Sequence, residues 1–400
     1  MKEYAGKRVL IIVENLPVPF DRRVWHEATT LQRHGYDVTV ISPKRDEYQA
    51  SEEILEGVRI WRHPLPVEGN GAVGFLAEYS MALFWQFVLT LKLSVTHGFD
   101  VMHACNPPDT IFAIGAFFKL FGKKFVFDHH DINPELYVAK FGKKDIFYKL
   151  LCLAERLTFN TADISIATND SYRKVAIERG GMDPEKVFVV RSGPNLGRMR
   201  RQPPVDKWKY GRPFMVGYVG VMGAQEGIDL LLEIVKYLVD GLKRTDIHFC
   251  LVGGGPVLDE MRQLSAKLGV AEYVSFLGRV DDDIYLEVLN SADVCVNPDT
   301  PNEMNDKSTM NKVLEYMALG KPVVQFDLQE GRYSCDTASL YARCTSIEDF
   351  AEKIVELVDN PKKRKEMGEV GRMRIENVLS WDHQVPILLN AYRTVLSASD

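Results

Sequence analysis

The sequence predicts an α/β fold of two doubly wound domains, each a parallel sheet covered by helices. Three observations predict it. The 400 residues exceed what one ordinary core holds. Short β-branched runs alternate with amphipathic helical segments along the chain, and residues 195–213, rich in Pro, Gly and basic residues, interrupt this alternation. We expect a first domain over residues 1–200, a second over 201–380, and a final helix, 381–400, that packs on the first domain.

The first domain opens on a βαβ unit. The run RVLIIV predicts a buried strand, a helical segment follows from Arg22 to His34 and stops at Gly35, and YDVTVIS predicts the next strand. The following strands are apolar throughout, which is typical of a parallel sheet buried on both faces. In order, the predicted elements are VMHAC, a helix from Asp109, KFVFDHH, a helix from Asp145, DISIAT and KVFVVRS.

The second domain repeats the pattern and predicts another doubly wound sheet. Helical segments follow from Ser346, and the last of them covers Trp381 to Ser397. In order, the predicted elements are PFMVGYVG, a helix from Gly227, IHFCLVGG, a helix from Val257, YVSFLGRV, a helix from Asp282, DVCVNPD, a helix from Ser308, and KPVVQFD.

Composition excludes several classes of protein. A hydrophobic fraction of 46%, with 26% charged residues, argues against disorder, and a net charge of -6 argues against a nucleic-acid binder. The six cysteines form no CxxC pair and predict reduced core residues. The first apolar run ends at Glu14, too early for a secretory signal, and Glu78, Gln86 and Lys92 interrupt the longest apolar stretch. We therefore expect a cytoplasmic protein without a membrane span.

The most informative segment is NDKSTMNKVLEYMALGKPVV, residues 305–324. Ligands bind at the carboxyl ends of parallel strands, so two facing domains predict a central cleft lined by such loops. Here Ser308 is predicted to cap a helix that runs to about Leu319. Free N–H groups near Thr309 and Met310 would bind a diphosphate, with Asn311, Lys312 and Glu315 near one face. Alternatively Ser308 is only a cap, Asn311 and Lys312 are solvated, and Glu315 pairs with a lysine.

The motif LEYMALGKPVV resembles the retaining GT-B glycosyltransferases of family 4 type, the group 1 glycosyltransferases, and the resemblance spans nearly the whole chain. It implies two Rossmann-like domains that face a cleft, and a nucleotide-diphosphate sugar as substrate, with no cofactor. In the family two glutamates, separated by seven residues, hold the donor sugar and the ribose. Glu315 matches the second, while Lys307 stands at the first position beside Asp306.

A second departure lies in GYVGVMGAQEGIDLLLE, which resembles the family loop that binds the diphosphate with an arginine and a lysine. Val221 and Glu226 occupy those two positions. We expect Lys312, with Lys307 or Arg279, to supply the missing charge. Gly220 and Gly223 either let the backbone approach a phosphate or serve only the turn.

Two further loops complete the predicted donor site. The segment LVGGGP lacks the GxGxxG spacing of NAD-binding loops, and the resemblance places it near the nucleotide, with FLGRV beside the base. The predicted donor residues are Gly220, Gly223, Gln225, Gly253, Gly254, Gly278, Arg279, Asn305, Asp306, Lys307, Ser308, Thr309, Met310, Asn311, Lys312 and Glu315.

The first domain carries its densest polar group in FDHHDINPELY. Successive strand residues face opposite ways, so His129 and His130 are expected to diverge. A metal site that includes His103 is an alternative, but no HxH or HExxH spacing supports it, and we expect no metal. The resemblance places His130 near the donor phosphate, and the predicted catalytic residues are His130, Asp131 and Glu135.

Two charged segments each allow two interpretations. In the first strand-to-helix loop, Asp21, Arg22 and Arg23 either reach the acceptor side of the cleft or only begin a solvated helix. The run DDD at residues 281–283 resembles a metal-binding DxD motif, but it precedes a helical run and is better explained as a helix cap.

The resemblance implies a retaining, metal-independent transferase in which the acceptor hydroxyl attacks on the face that the nucleotide leaves. It implies a UDP-linked donor and a sugar or lipid-linked acceptor, in cell-surface polysaccharide or glycolipid assembly. Lysines interleaved with phenylalanines over residues 117–149 suit docking on an anionic membrane, or form the solvated edge of a core helix. Two other functions remain open, a nucleotide-sugar 2-epimerase and a non-catalytic nucleotide-sugar-binding homologue.

Overall fold

The computed structural model describes residues 6–45, 47–64 and 71–397, with the side chains of residues 71–79 left out. The chain divides into two compact units. The first comprises Met1–Ser192 together with Gln384–Asp400, and the second comprises Gly193–His383. Three predictions lie partly outside the described residues, namely the first five residues of the first domain, the side chain of Glu78 and the last three residues of segment 381–400.

The first unit is built on an eight-stranded sheet in the order β3-β4-β2-β1-β5-β6-β7-β8, parallel except for the antiparallel pair β3–β4. The topological switch point lies between β1 and β5, because later strands add on either side of that pair. Its strands are β1 Arg8–Ile12, β2 Asp37–Pro43, β3 Glu52–Leu55, β4 Val58–His63, β5 Val101–Cys105, β6 Lys124–His129, β7 Ile164–Ala167 and β8 Val187–Val189. Its helices are α1 Arg22–Arg33, α2 Gly71–Thr96, α3 Phe112–Lys119, α4 Asn133–Phe141, α5 Ile146–Thr161 and α6 Asp170–Glu178.

The second unit has a six-stranded sheet in the order β11-β10-β9-β12-β13-β14, parallel throughout. Its switch point lies between β9 and β12. The strands are β9 Phe214–Val219, β10 Ile247–Val252, β11 Val274–Gly278, β12 Val294–Asn297, β13 Val323–Phe326 and β14 Ser339–Ala342. The helices are α7 Ile228–Lys236, α8 Leu258–Lys267, α9 Asp282–Ser291, α10 Glu303–Lys307, α11 Asn311–Ala318, α12 Gln329–Cys335, α13 Ile347–Asp359 and α14 Pro361–Arg374.

The predicted fold class is confirmed, since both units are doubly wound parallel sheets with helices between the strands. The sequence pattern missed the β3–β4 hairpin and the edge strand β14. It also placed one helix wrongly, because no helix begins at Ser308; that residue follows α10, and α11 starts at Asn311. The run at 281–283 is a helix cap as predicted, with the Asp281 side chain accepting a hydrogen bond from the Ile284 N–H.

The last helix is α15, Trp381–Ser397, which matches the predicted bounds. From Gln384 onward it belongs to the first unit, where the Tyr392 hydroxyl lies 2.7 Å from Nδ1 of His103 on β5. The ring of Tyr392 also meets that of Tyr36 edge to face, with 5.6 Å between centroids. The expected packing of this helix on the first domain is confirmed by these contacts. None of the helices in the described ranges combines the length and the hydropathy that a membrane crossing needs.

Candidate active site

In the first unit, polar side chains gather where β5 and β6 end, next to the switch point. Asn106, which follows β5 directly, holds the backbone after β6. Its Oδ1 accepts hydrogen bonds from the His130 N–H at 2.6 Å and the Asp131 N–H at 3.1 Å, and its Nδ2 donates to the Asp131 carbonyl at 2.6 Å. Sequence reasoning missed Asn106, although a polar residue directly after an apolar strand was the available signal.

His130 lies in a charged network with Asp128 and Arg23. Its Nε2 lies 2.6 Å from Oδ2 of Asp128 and accepts a hydrogen bond from Nε of Arg23 at 2.8 Å. Arg23 pairs with the same carboxylate, with 2.8 Å from Nη2 to Oδ1. Burial by itself would raise the pKa of Asp128, but the charges of Arg23 and His130 hold it well below its usual range. His130 is 13% exposed, and it is the member of this trio that can meet a ligand.

Arg23 corrects one of the two interpretations of the first loop. It is buried in the Asp128 network, so it does not begin a solvated surface, and its place on the acceptor side stays a prediction. Asp21 caps α1 by accepting a hydrogen bond from the Val24 N–H at 3.1 Å, and burial raises its pKa. Arg22 remains exposed, which fits an acceptor role.

The divergence of His129 and His130 is confirmed. His129 is buried with its Nε2 3.3 Å from Glu155, on the opposite side of the strand from the Asp128 network. Glu135, predicted to be catalytic, is also bound to a residue outside the Asp128 network. It is buried and receives two hydrogen bonds, of 2.8 and 3.0 Å, from the Arg179 guanidinium. This bidentate pair supports a structural role for Glu135 and leaves His130 and Asp131 as the reaction-centre candidates.

One group of potential metal ligands occurs in the described part of the first unit. Ligand atoms of Glu27, Cys105, Asp128 and His130 lie within 4.8 Å of one another. The chemistry of the set does not fit a metal, because Arg23 already brings a cation to both carboxylates, at 3.2 Å from Glu27. Burial and the neighbouring carboxylates also raise the pKa of the Cys105 thiol well above its usual value, which disfavours the thiolate that a metal would need.

In the second unit, two loops are fastened together at the switch point between β9 and β12. The Gln225 carbonyl, in the loop after β9, accepts hydrogen bonds from Thr300 Oγ1 at 3.1 Å and from Asn305 Nδ2 at 3.1 Å. The Asn305 amide also donates to the Thr300 carbonyl at 2.8 Å. Asn305 and Gln225, both predicted donor residues, therefore link the two loops.

Lys312, predicted as the phosphate-binding cation, lies at this switch point but is paired. Its Nζ is 2.6 Å from Oδ1 of Asp299 and 2.7 Å from Oε2 of Glu226, and it lies over the Tyr218 ring, 5.0 Å from the centroid. Burial by itself would lower the pKa of Lys312, but the Asp299 carboxylate raises it well above its usual value. Burial raises the pKa of Asp299 to about 7, with Lys312 opposing the rise. Lys312 is therefore neutralised in this structure, and its role as the phosphate-binding cation stays a prediction.

The segment before α11 also differs from prediction. The Ser308 hydroxyl donates to the Met304 carbonyl at 2.7 Å, so it closes α10 and does not cap α11. Met310 occupies the cap position of α11, without a side-chain hydrogen bond, and Asn311 is exposed in its first turn. The side chains of the other predicted donor residues here have partners. Lys307 pairs with Glu303, Asp306 accepts from the Gln329 N–H, and Thr309 donates to Glu330.

The predicted glycine loops meet at the ends of β9, β10 and β11. Gly253, at φ +131°, lies so close to the Gly220 carbonyl that a Cβ atom would be 1.9 Å from its oxygen. The Gly253 N–H donates to the Gly278 carbonyl at 2.8 Å, and Gly254 accepts from the Met222 N–H at 2.9 Å. Gly223 begins the short 3₁₀ turn Ala224–Glu226, and the Arg279 side chain is exposed beside Gly254.

Glu315, the predicted ribose ligand, lies on α11 and contacts two residues that sequence reasoning missed, Arg198 and Tyr285. Arg198 contacts its Oε1 at 3.3 Å, and the Tyr285 hydroxyl donates to its Oε2. The Arg198 guanidinium lies over the Tyr285 ring at 5.2 Å and pairs with Asp282. Contacts across 117 residues of sequence carry no local signal, which is why Arg198 could not be predicted.

Two family models match this chain over separate regions. A model described as Glycosyltransferase Family 4 matches residues 21–198, and one described as Glycosyl transferases group 1 matches residues 213–360. The chain belongs to the group 1 glycosyltransferases of family 4 type. Together the two matches cover most of both units of this family member, including the His130 network and the Lys312 cluster.

Curated relatives resemble this group 1 family member at low identity. A D-inositol 3-phosphate glycosyltransferase of Geodermatophilus obscurus is 28% identical over 255 residues, which cover 60% of this chain and 52% of the relative. A phosphatidyl-myo-inositol mannosyltransferase of Mycobacterium leprae is 24% identical over 80% of this chain and 77% of the relative. The chain spans about half the length of the inositol-phosphate relatives it matches.

Solved structures show the same fold, GT-B. Sucrose-phosphate synthase from Thermosynechococcus elongatus superposes with a TM-score of 0.77 at 17% identity, over 98% of this chain and 100% of that one. HepE from Anabaena, solved in complex with UDP-glucose, superposes with a TM-score of 0.73 at 16% identity, over 98% of this chain and 99% of that one. At these identities the likeness establishes the fold of the group 1 family member.

Proposed function

We propose that this protein is a retaining glycosyltransferase that moves a sugar from a nucleotide-diphosphate sugar to an acceptor hydroxyl. The observation that carries the proposal is the gathering of polar side chains at the switch points of both sheets in a chain that belongs to this family. Open parallel sheets bind ligands at these points. Relatives named as a D-inositol 3-phosphate glycosyltransferase and a phosphatidyl-myo-inositol mannosyltransferase support the same activity.

The second unit is proposed to bind the donor and the first to bind the acceptor. In the second unit, Glu315 would hold the ribose, Gly278 and Arg279 would lie at the base, and Gly253 and Gly254 would line the nucleotide. The N–H groups at the start of α11 would face the diphosphate. UDP is the proposed nucleotide, in keeping with structural neighbours solved with UDP and UDP-glucose.

The proposed chemistry needs positioning and charge stabilisation more than a protein nucleophile. The acceptor hydroxyl would attack on the face from which the nucleotide leaves, and the leaving phosphate would accept its proton. His130, held by Asp128 and by the Asn106 clamp on its backbone, is the proposed contact to the reacting sugar.

Transfer is proposed to be independent of divalent metal, and the acceptor to be a lipid-linked sugar at an anionic membrane surface. Exposed apolar side chains on one face of α5 support membrane docking, among them Ile146, Leu150 and Leu153. Exposed lysines flank the start of this helix at Lys143, Lys144 and Lys149. Apolar side chains bordered by cations are the composition that binds anionic lipid surfaces.

One experiment tests the activity and separates it from its rivals. A panel of UDP-, GDP- and dTDP-linked sugars is incubated with and without a lipid-linked acceptor, in EDTA and in Mg²⁺. We expect nucleotide release that depends on acceptor and persists in EDTA, with the anomeric configuration of the donor retained in the product. Conversion of a UDP sugar without acceptor would identify an epimerase, and binding without turnover would identify a non-catalytic homologue.

A further inference from the structure

We propose that Glu226 competes with the donor diphosphate for Lys312, and thereby sets how tightly the second unit binds a nucleoside diphosphate. The inference rests on the proposed function and names a residue that determines affinity at the same site. It starts from the position of Lys312, which stands in the first turn of α11 at the switch point between β9 and β12. Glu226 follows β9 and Asp299 follows β12, so all three groups occupy the place where such sheets bind ligands.

The charges around Lys312 disfavour the binding of an anion. Lys312 carries one positive charge, whereas Glu226 and Asp299 together offer two carboxylates within 2.7 Å of its Nζ. The Tyr218 hydroxyl, 3.5 Å from Oε2 of Glu226, adds no cation. A diphosphate that approaches this cluster therefore meets a lysine that is already neutralised. It gains Lys312 only if one of the carboxylates moves away.

The two carboxylates are not equally able to move. Asp299 is 1% exposed, and its Oδ2 has no hydrogen-bond partner among the described residues. Separated from Lys312, it would be a buried carboxylate without a cation, which is strongly unfavourable. Glu226 is 19% exposed and ends a short 3₁₀ turn, before Gly227 at φ +66°. A rotation of its side chain delivers its carboxylate to water, so Glu226 is the displaceable partner.

Displacement leaves a binding arrangement for phosphate. With Glu226 turned out, Lys312 keeps Asp299 on one side and faces the loop after β9 on the other, where a Cβ on Gly220 would lie 3.6 Å from the lysine Cδ. The backbone N–H groups at the start of α11 point to the same end of the helix. Affinity for a diphosphate is therefore the intrinsic affinity of this arrangement, reduced by the ion pair that must first be broken.

The test compares binding of UDP and uridine, and of GDP and guanosine, by isothermal titration calorimetry. Glu226→Gln keeps the size of the side chain and removes the competing charge. We expect this variant to bind the matching nucleoside diphosphate about tenfold more tightly than the wild type, because like charges beside a ligand charge are costly. Affinity for the nucleoside without phosphate should stay unchanged. Thermal unfolding checks that the variant is folded.

Asp229→Asn is the matched control. It removes the same charge three residues away, in the first turn of α7, where Asp229 is exposed. Equal tightening by both variants would show a general charge effect and overturn the inference. Unchanged or weaker diphosphate affinity in Glu226→Gln would overturn it as well, while leaving donor binding in place. Binding of no nucleoside diphosphate by any of the proteins would reject the proposed donor site itself, and the competition with it.

Discussion

Asp299 shows how one buried carboxylate couples this fold to pH. Burial raises its pKa to about 7, and Lys312 only partly offsets the rise. In the unfolded chain an aspartate titrates near pH 4. Between these two values the folded state holds a proton that the unfolded state has lost. Folding stability from this group therefore falls as pH rises from 4 toward 7 and is constant above that range.

Asp299→Asn should remove this pH dependence. The free energy of unfolding of the variant, minus that of the wild type, should increase with pH between 5 and 7 by at most about 1.4 kcal/mol per unit. Above pH 8 the difference should level off. Urea denaturation at several pH values, followed by circular dichroism, measures it. A difference that does not change between pH 5 and 7 would show that folding does not raise the pKa of Asp299.

Asn106 is the residue through which we expect His130 to be positioned. Its side chain bonds the backbone of both His130 and Asp131. Asn106→Ala should lower kcat for sugar transfer by about 10- to 100-fold, because small misplacements of reacting groups are costly. Asn133→Ala is the control, since Asn133 shares the partner Asp109 but does not hold the His130 backbone. Similar losses of kcat in both variants would contradict a positioning role.

At the scale of elements, the sequence predicts helix starts well where a side chain caps the helix. Asp145, Asp281 and Ser346 each accept a hydrogen bond from an N–H of the first turn, and capping of this kind is a local signal. Ser308 looks the same in sequence but bonds back to the Met304 carbonyl, which closes the preceding helix. The difference depends on α10, a five-residue helix too short to show a period.

Strands were predicted from apolar runs, so the β3–β4 hairpin and the edge strand β14 were missed. Strand β3, EEIL, has exposed or half-buried residues throughout, and its partner β4 carries two arginines. The site showed the same limit. Strand ends located its loops, but the partners within it are far apart in sequence: Arg23 and Asp128 are 105 positions apart, and Glu226 and Lys312 are 86 positions apart. Tertiary packing alone brings such pairs together.

The loop after β10 is the element whose geometry most restricts substitution. A Cβ at Gly253 would clash with the Gly220 carbonyl, and φ there is +131°. Gly253→Ala should therefore lower the free energy of unfolding by more than about 3 kcal/mol, as expected for backbone strain combined with overlap. At Gly254 the nearest atom to a Cβ is the Arg279 Cγ at 3.5 Å, an ordinary contact. Gly254→Ala should cost less than about 1 kcal/mol, and equal urea midpoints for the two variants would refute this difference.

At the scale of the whole molecule, the first unit is assembled from both ends of the chain. Residues Gln384–Asp400 belong to it, and within it the Tyr392 hydroxyl meets His103, which lies 3.2 Å from Oδ2 of Asp128. The last helix is thus connected through one histidine to the carboxylate that holds His130. The reaction-centre candidates of the first unit therefore depend on a segment that is distant in sequence.

Membrane docking is the property that we expect from the surface of the first unit. On α5, Ile146 is 62% exposed, and Leu150 and Leu153 follow it on the same face. Lysine-flanked apolar surface gains about 1 kcal/mol per lysine near anionic lipid. The protein should therefore co-sediment with phosphatidylcholine vesicles that contain phosphatidylglycerol, and less so as salt concentration rises.

Substitution separates this surface from general adhesion to vesicles. Replacing Ile146 and Leu150 together by serine should reduce binding to the anionic vesicles several-fold, because each exposed side chain loses the free energy of insertion into the bilayer. Met373→Ser is the control, since Met373 is comparably exposed but lies on α14 in the second unit. Binding that is equal on vesicles of phosphatidylcholine alone, or that is reduced as much by Met373→Ser, would rule out docking through α5 and leave its lysines as an ordinary solvated edge.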